Sequence, residues 1–286
     1  MNILLIQPPI EDFFTTPIRL YPLGLLYAAA TLHKLGCDVR ILDCLTPPKK
    51  RQLPIPKDFD YLEHFFKNDP LLFKGYYRFG LSDEMIVERI KNAQPDLIGI
   101  SSQFTAYFSN TKKLAELIKN NMDVPIFIGG NHATAFGEQI KQRTTAIDDV
   151  LIGPAEQALP KYLSRIDPSR FTSESIDWKS IRPMHSLLHG DHYRMGKKNY
   201  ISLSASRGCP HTCEFCSVHN MFGRRMDYRD IDDIINEMHQ IYIDKDVRIF
   251  NFEDDNISAN KNWFTLFLER LISDPVLKNI EVTALN

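Results

Sequence analysis

Apolar and polar positions along the chain form a series of alternating strands and helices. Residues 2 to 7 are a short apolar run typical of a buried strand, and residues 22 to 35 have helical apolar spacing that ends at Gly36. Further strands are predicted at 39–43, 96–101, 125–130 and 149–152, with helices at 82–93, at 110–121 and from about Glu156. This alternation predicts an α/β fold with a doubly wound, Rossmann-type parallel sheet.

A second alternating series begins near residue 200. Strands are predicted at 200–204, 247–252 and 280–285, separated by helices at 228–243 and 262–272. Residues 46–80 and 165–198 show no clean period, and we interpret them as an inserted loop and a linker. The predicted organisation is an α/β domain at 1–164, a linker at 165–198 and a second domain at 199–286.

Composition and charge indicate an ordinary globular protein. The chain has 286 residues, of which 43% are hydrophobic and 24% charged, with a formal net charge of -2. Acidic and basic residues are mixed along the chain, so no basic face indicates a nucleic-acid partner. Pro8 and Pro9 interrupt the first apolar run, which lacks the features of a signal peptide. We expect a cytoplasmic protein without a membrane span.

The cysteines indicate metal or redox chemistry. Three of the five, Cys209, Cys213 and Cys216, fall within eight positions of a loop that follows a predicted strand. A structural zinc site needs four ligands, and the chain has no second cysteine pair of the zinc-ribbon kind. His211 or His219 could supply a fourth ligand, so the spacing alone leaves zinc open.

A 4Fe-4S cluster is the other centre that three thiolates can hold. With three cysteine ligands, one iron has no protein ligand and can bind a substrate or a cofactor. The pattern Cys-x3-Cys-x2-Cys, with aromatic Phe215 before the last cysteine, resembles the signature of the radical S-adenosylmethionine (SAM) superfamily.

The resemblance implies a cofactor and its chemistry. In that superfamily the amino and carboxylate groups of SAM chelate the open iron, and one electron from the cluster splits the sulfonium to give a 5'-deoxyadenosyl radical. Phe215 would lie near the adenine. The acidic run Glu253, Asp254 and Asp255 ends a predicted strand, where such sheets and barrels hold their ligands, and would bind SAM. A solvated turn that starts a helix is the alternative for this run.

The first domain resembles the cobalamin-binding domain that is joined to many radical enzymes. The residues expected to contact cobalamin lie at predicted strand ends: Ser101, Ser102, Gly129, Gly130, His132, Gly153 and Glu156. Small residues there leave room for a large ligand. The Asp-x-His-x-x-Gly motif of better-known cobalamin domains is missing after the first strand, so we expect binding without a lower histidine ligand.

Together these resemblances imply a cobalamin-dependent radical SAM enzyme, with methyl transfer as the first expectation. Such an enzyme needs an external electron donor and would act on a small-molecule, natural-product or lipid-like substrate. An exposed cluster with an open iron also implies oxygen sensitivity and an anaerobic setting. The alternatives are a non-catalytic module that binds cobalamin and an iron–sulfur cluster, and a zinc-stabilised binding domain. Measured iron and sulfide content would distinguish the zinc-stabilised domain from the two hypotheses that include an iron–sulfur cluster.

The length of the second domain leads to a further expectation. The superfamily's barrel has six strand–helix units, each of about 30 residues by comparison with larger barrels. Residues 199–286 have room for about three such units. We therefore expect an incomplete radical SAM core, either a C-terminally truncated fragment or part of a split enzyme completed by a second polypeptide.

Overall fold

The computed structural model describes residues 1–14, 21–47, 49–67, 73–188 and 192–284. Contacts divide the chain into two compact units, Met1–Leu25 with Leu32–Leu151, and Leu26–Thr31 with Ile152–Asn286. The first domain was predicted to end at residue 164, whereas the contacts divide the chain after residue 151. Each unit has its own sheet.

The described residues contain the following regular elements. The strands are β1 (Asn2–Gln7), β2 (Ile10–Asp12), β3 (Asp38–Asp43), β4 (Lys50–Leu53), β5 (Tyr76–Phe79), β6 (Leu97–Ser101), β7 (Ile126–Gly129), β8 (Asp149–Val150), β9 (Arg194–Met195), β10 (Lys198–Leu203), β11 (Ser206–Arg207), β12 (Asp227–Tyr228), β13 (Val247–Phe252) and β14 (Glu281–Ala284). The helices are α1 (Leu23–Lys34), α2 (Glu63–Lys67), α3 (Asp83–Ala93), α4 (Phe108–Asn121), α5 (Asn131–Arg143), α6 (Ala155–Ile166), α7 (Val218–Phe222), α8 (Ile231–Lys245) and α9 (Lys261–Ser273).

The main sheet of the first unit confirms the predicted α/β fold. Its five strands are all parallel and lie in the order β3-β1-β6-β7-β8. Counted within this sheet, the order is 2-1-3-4-5, in which the direction of winding reverses beside the first strand. Ligands of such sheets bind beyond the carboxyl ends of the strands.

Local sequence explains the helix that precedes β6. The side chain of Ser82 caps α3 by accepting a hydrogen bond from the backbone N–H of Met85, as the sequence predicts. Ile86 and Ile90 are fully buried one turn apart and pack in the core with Ile98 of β6. Gln94, which has a left-handed backbone with φ of 46°, ends the helix.

The predicted inserted loop at 46–80 is wrong in part. Its described residues include β4 and β5, which form an antiparallel sheet with β2, and the short helix α2. Residues 48 and 68–72 lie outside the described part of the chain. The ring of Phe13 contacts the rings of Phe59, Phe73 and Tyr76 at centroid distances of 5.0, 5.0 and 4.9 Å. Aromatic packing between short elements leaves no helical or strand period to detect.

The sheet of the second unit holds three parallel strands in the order β14-β13-β10, with β9 antiparallel at the other side of β10. Helix α8 connects β10 to β13 and α9 connects β13 to β14, as expected for consecutive βα units. Asp230 and Asn260 cap the two helices with their side chains. Residue 285, the last of the predicted strand, lies outside the described residues.

The predicted linker contributes packed side chains to the second unit. In its described part, Phe171, Trp178, Ile181 and Tyr193 are buried among residues that have little regular structure. Within the described ranges, no helix is both long enough and apolar enough to cross a membrane.

Candidate functional site

The cysteine loop of the second unit connects β11 to α7. Cys209 and Cys216 are half-buried and Cys213 is exposed, and all three are free thiols. The backbone N–H of Cys216 donates to the carbonyl of Cys213 at 3.1 Å, which forms a turn between the last two cysteines. The predicted ligands thus lie on one short loop beyond the carboxyl end of β10.

The thiols of this loop are not drawn together as a formed metal centre. In the ranges that the structure describes, no group of three or more His, Cys, Asp or Glu side chains is placed to hold a metal ion. The side-chain amide of Asn256 lies 3.8 Å from the sulfur of Cys209. Phe215, expected beside an adenine, is 93% exposed.

The acidic run follows β13, and two of its carboxylates bind the chain that leads into the loop. Asp254 is buried and accepts from the backbone N–H of Ala205 at 3.1 Å and from the N–H and hydroxyl of Ser206. Asp255 accepts from the backbone N–H of Gly208 at 2.9 Å. The two carboxylates therefore fix the backbone just before Cys209: Asp254 binds Ala205 and Ser206, and Asp255 binds Gly208.

Burial dominates the protonation of all three acids. It raises the pKa of Asp254 to about 6, although its hydrogen bonds with Ser206 and Ala205 act in the opposite direction. Burial also raises the pKa of Asp255. The pKa of Glu253 rises to about 7, chiefly through burial, while Ser202 and Asn251 lower it. The pKa of Glu253 is thus raised well above the ordinary range of a carboxyl, and the backbone N–H groups that donate to Asp254 and Asp255 do not donate to its carboxylate.

A row of polar side chains crosses the sheet two residues before the acidic run begins. Ser202 of β10, Asn251 of β13 and Thr283 of β14 are paired in register across the three strands. Asn251 donates to the hydroxyl of Ser202 at 3.2 Å, and the hydroxyl of Thr283 donates to Asn251 at 2.9 Å. Because side chains alternate along a strand, Glu253 continues the face that carries Asn251.

Glu156 was expected to contact cobalamin, and in the second unit it pairs with Arg207. It lies in the first turn of α6, where its carboxylate is 2.9 Å from the guanidinium of Arg207. The Glu156 side chain is 3% exposed and that of Arg207 is 11% exposed. Gly153, two residues before α6, has a φ of 86°, and a Cβ there would meet nothing within 4 Å.

A cavity of about 450 Å³ lies against this ion pair. Asp227 forms part of its wall and accepts from the indole N–H of Trp178 at 2.6 Å and from Lys179 at 2.7 Å. The lining residues, all in the second unit, are Pro154, Glu156, Gln157, Ser175, Ile176, Asp177, Trp178, Arg207, Met221, Phe222 and Asp227.

In the first unit, the other predicted cobalamin contacts meet at the ends of β6 and β7. Ser101 and Gly129 are paired in register. The N–H of Ser102 donates to the carbonyl of Gly129 at 2.8 Å, and the N–H of His132 donates to the carbonyl of Ser102 at 3.1 Å. Gly130 has a φ of 117°, and a Cβ there would lie 2.7 Å from the Ser102 oxygen, so this position requires glycine.

His132 is buried, and two aromatic rings pack against its imidazole. Its ring centre lies 4.6 Å from that of Phe108 and 5.0 Å from that of Phe136. Its Nδ1 is 3.0 Å from the hydroxyl of Thr105. Burial lowers the pKa of His132, which favours the neutral imidazole at pH 7.

Three buried polar atoms beside this strand end have no hydrogen-bond partner among the described residues. They are Nε2 of His132, the hydroxyl of Ser102 and the amide nitrogen of Asn110. Unpaired buried polar atoms are costly, and a ligand that supplies partners removes the cost.

Gly129 has more open space beside it than Gly130, because a Cβ at Gly129 would have only one neighbour, at 4.0 Å. Space for a ligand therefore remains above Gly129.

Sequence reasoning missed several residues of both sites. Arg207 could have been singled out, since it stands two positions before Cys209. Asn110 and Trp178 carry no local signal, because their surroundings are created by the fold.

Comparison with known proteins identifies the family. Residues 14–163 match the family model described as B12 binding domain, which is more than half of the chain. The chain belongs to this family of cobalamin-binding domains.

Individual relatives extend the likeness beyond that domain. The chain is 27% identical over 312 aligned residues to cytidylyl-2-hydroxyethylphosphonate methyltransferase of Streptomyces wedmorensis, covering 90% of this chain and 55% of the relative. It is 25% identical over 219 residues to the anaerobic magnesium-protoporphyrin IX monomethyl ester cyclase of Rubrivivax gelatinosus, covering 67% and 39% of the two chains. The chain thus spans about half the length, or less, of these curated relatives.

A solved structure shares the fold. The radical S-adenosylmethionine methyltransferase TsrM from Kitasatospora setae, solved with cobalamin and a [4Fe-4S] cluster bound, matches with a TM-score of 0.63 at 14% identity. The match covers 98% of this chain and 53% of TsrM.

Proposed function

We propose that this chain carries the cofactor-binding machinery of a cobalamin-dependent radical SAM methyltransferase. The observation that carries the proposal is the loop with three free thiols. The backbone that leads into this loop donates hydrogen bonds to Asp254 and Asp255, which follow the neighbouring strand β13. The match to the B12 binding domain and the named methyltransferase relatives support it.

In this proposal Cys209, Cys213 and Cys216 hold a 4Fe-4S cluster. Three free thiols within eight positions fit this group, and the cluster leaves one iron for SAM. The amide of Asn256, 3.8 Å from the Cys209 sulfur, is placed to donate a hydrogen bond of the kind that tunes cluster potential. When bound, the cluster supplies the electron that cleaves SAM.

The acids divide the work of binding SAM. Asp254 and Asp255 position the backbone before Cys209, and Glu253 remains for the amino group of the cofactor. A carboxyl with a pKa of about 7 accepts a hydrogen bond when ionised and gains charge when a cationic amino group approaches. The exposed ring of Phe215 is available to cover the adenine.

The strand ends of the first unit would bind cobalamin. Open space over Gly129 admits a large ring close to the backbone, and the unpaired atoms of Ser102 and His132 offer hydrogen bonds to its amide-rich periphery. We assign no lower cobalt ligand at the end of β1, where Gln7 and Pro8 stand.

The reaction class is proposed as methyl transfer because several relatives bear that name. The named relatives act on a phosphonate and on a porphyrin ester, so the proposal extends only to a small-molecule, natural-product or lipid-like acceptor. An external one-electron donor is required.

Anaerobic reconstitution tests the proposal. The chain is supplied with iron, sulfide and hydroxocobalamin, reduced with SAM, and assayed for iron, corrin absorbance and 5'-deoxyadenosine. We expect all three, with loss of iron and 5'-deoxyadenosine in Cys213→Ala and retention in Cys37→Ala, whose thiol is buried outside the loop. Retention of zinc in place of iron, or iron uptake independent of Cys213, would overturn the proposal.

A further inference from the structure

Arg207 lies in an aromatic cage within the second unit. Its guanidinium carbon is 4.3 Å from the ring centre of Trp178, 4.7 Å from that of Tyr27 and 5.2 Å from that of Phe222. Desolvated cation–π contacts of this kind favour a cation held over the ring faces. The planar guanidinium can stack on rings and pair with a carboxylate at once, which an ammonium group cannot do equally well.

The cage also contains the carboxylate of Glu156. A buried ion pair is weak evidence for stability, because removing two charges from water offsets much of their attraction. Apolar side chains could fill the same volume at similar stability. A directional contact that fixes one geometry is the property that the pair adds.

The cage joins the two ends of the cysteine loop. Arg207 is the last residue before the loop, and Phe222 is the last residue of α7, which follows the loop. The backbone approaches closely at the same base, where a Cβ on Gly208 would lie 2.4 Å from the carbonyl oxygen of Arg225. The side chain of Arg207, which precedes the loop, thus contacts Phe222, which follows it, where the two ends of the loop come together.

We infer that Arg207 is a positioning residue that clamps the base of the cysteine loop, with Glu156 as its anchor. The inference rests on the proposed function, since the clamp orders the loop that would hold the cluster. Ordering a binding loop before its ligand arrives lowers the entropy lost on binding. The inference gives Glu156 the role of anchoring Arg207 in place of the expected contact with cobalamin.

The test compares iron release and loop-base order in single and double variants. Arg207→Met, Arg207→Lys, Glu156→Gln and the Met–Gln double variant are made in the full chain. The matched control is Arg248→Met, because Arg248 also stacks on a ring, Tyr242 at 4.3 Å, and pairs with Asp246, but lies on β13. The first readout is the rate at which reconstituted protein loses iron to a chelator under anaerobic conditions.

We expect Arg207→Met to release iron about 10- to 100-fold faster than wild type, the range for loss of a residue that orients metal ligands. Glu156→Gln should act in the same direction, and the double variant should add little, because both remove one clamp. Arg207→Lys should fall between Met and wild type, and Arg248→Met should match wild type. Wild-type iron release in Arg207→Met, or fully additive effects in the double variant, would overturn the inference.

A second readout needs no cluster. The chain has two tryptophans, so Trp263→Phe leaves Trp178 as the sole reporter of the cage. Arg207→Met should increase quenching of Trp178 fluorescence by acrylamide in the apo protein, and unchanged quenching would contradict the clamp. If wild type takes up no iron, the proposed function fails, and the quenching result alone decides the clamp. Altered corrin affinity in Glu156→Gln with unchanged iron release would favour the cobalamin contact and overturn the inference.

Discussion

Glu253 makes the free energy of unfolding depend on pH, and Glu253→Gln should remove this dependence. The folded state keeps the proton of this carboxyl up to about pH 7, while the ordinary pKa is 4.5. Between these pH values the folded state binds more protons than the unfolded chain, so the free energy of unfolding falls as the pH rises. At 1.36 kcal/mol per pH unit, the full difference corresponds to roughly 3 kcal/mol. The stability contribution is complete below about pH 4.5 and lost above about pH 7.

The assay is urea denaturation followed by tryptophan fluorescence at several pH values from 5 to 8. Trp178 and Trp263, the only two tryptophans, both belong to the second unit, as Glu253 does. The signal therefore reports the unit that carries the substitution and avoids the assumption that the whole chain unfolds in one step.

Glu253→Gln should match wild type near pH 5 and be about 1 to 3 kcal/mol more stable at pH 8, since the amide stays neutral. Glu269→Gln, which removes an exposed carboxyl from α9, serves as the control and should follow wild type throughout. Coincident pH profiles for Glu253→Gln and wild type would refute the argument that burial dominates at this carboxyl.

Three further predictions concern a buried ion pair and the two glycines at the end of β7. Arg229 is 1% exposed and pairs with Glu237, which is 8% exposed and also lies 3.7 Å from the Nε of Arg182. Arg229→Leu should cost about 3 to 5 kcal/mol in urea denaturation by leaving the Glu237 charge buried with this weaker partner. Adding Glu237→Leu should recover part of the loss, because Asp233 still lacks its contact with Arg229. A double variant as unstable as the single one would contradict this. Gly130→Ala should lose about 1 to 3 kcal/mol through strain at positive φ, measured by circular dichroism. Gly129→Ala should keep its stability and lose corrin affinity in absorbance titrations, and the reverse pattern would contradict the cobalamin assignment.

The strands of the parallel sheets were predicted well from local sequence, because a buried strand is recognised by a run of apolar residues that are neighbours along the chain. The apolar run at 2–7 coincides with β1, and the strand predicted at 247–252 coincides with β13. The helix α5 was not predicted. Phe136 departs from helical angles within it, with φ of −128° and ψ of 23°, and this kink interrupts the helical period.

The cysteine ligand set was proposed from the spacing together with the family signature that this spacing resembles, whereas the residues that support the loop could not be proposed from sequence. Asp254 and Ser206 are 48 positions apart, and Arg207 and Glu156 are 51 positions apart. These contacts form only when the strands and helices pack together, so no pattern in the local sequence predicts them. The sequence placed Asp254 in a cofactor site, and the fold surrounds its carboxylate with backbone donors.

The central claim is that the cysteine loop holds a cluster with one iron open to SAM. Mössbauer spectroscopy of chain reconstituted with iron-57, recorded with and without SAM, tests it most directly. We expect about four iron atoms per chain, with roughly one quarter of the iron signal changing when SAM is added. Iron that is absent, or whose spectrum is the same with and without SAM, would contradict the claim.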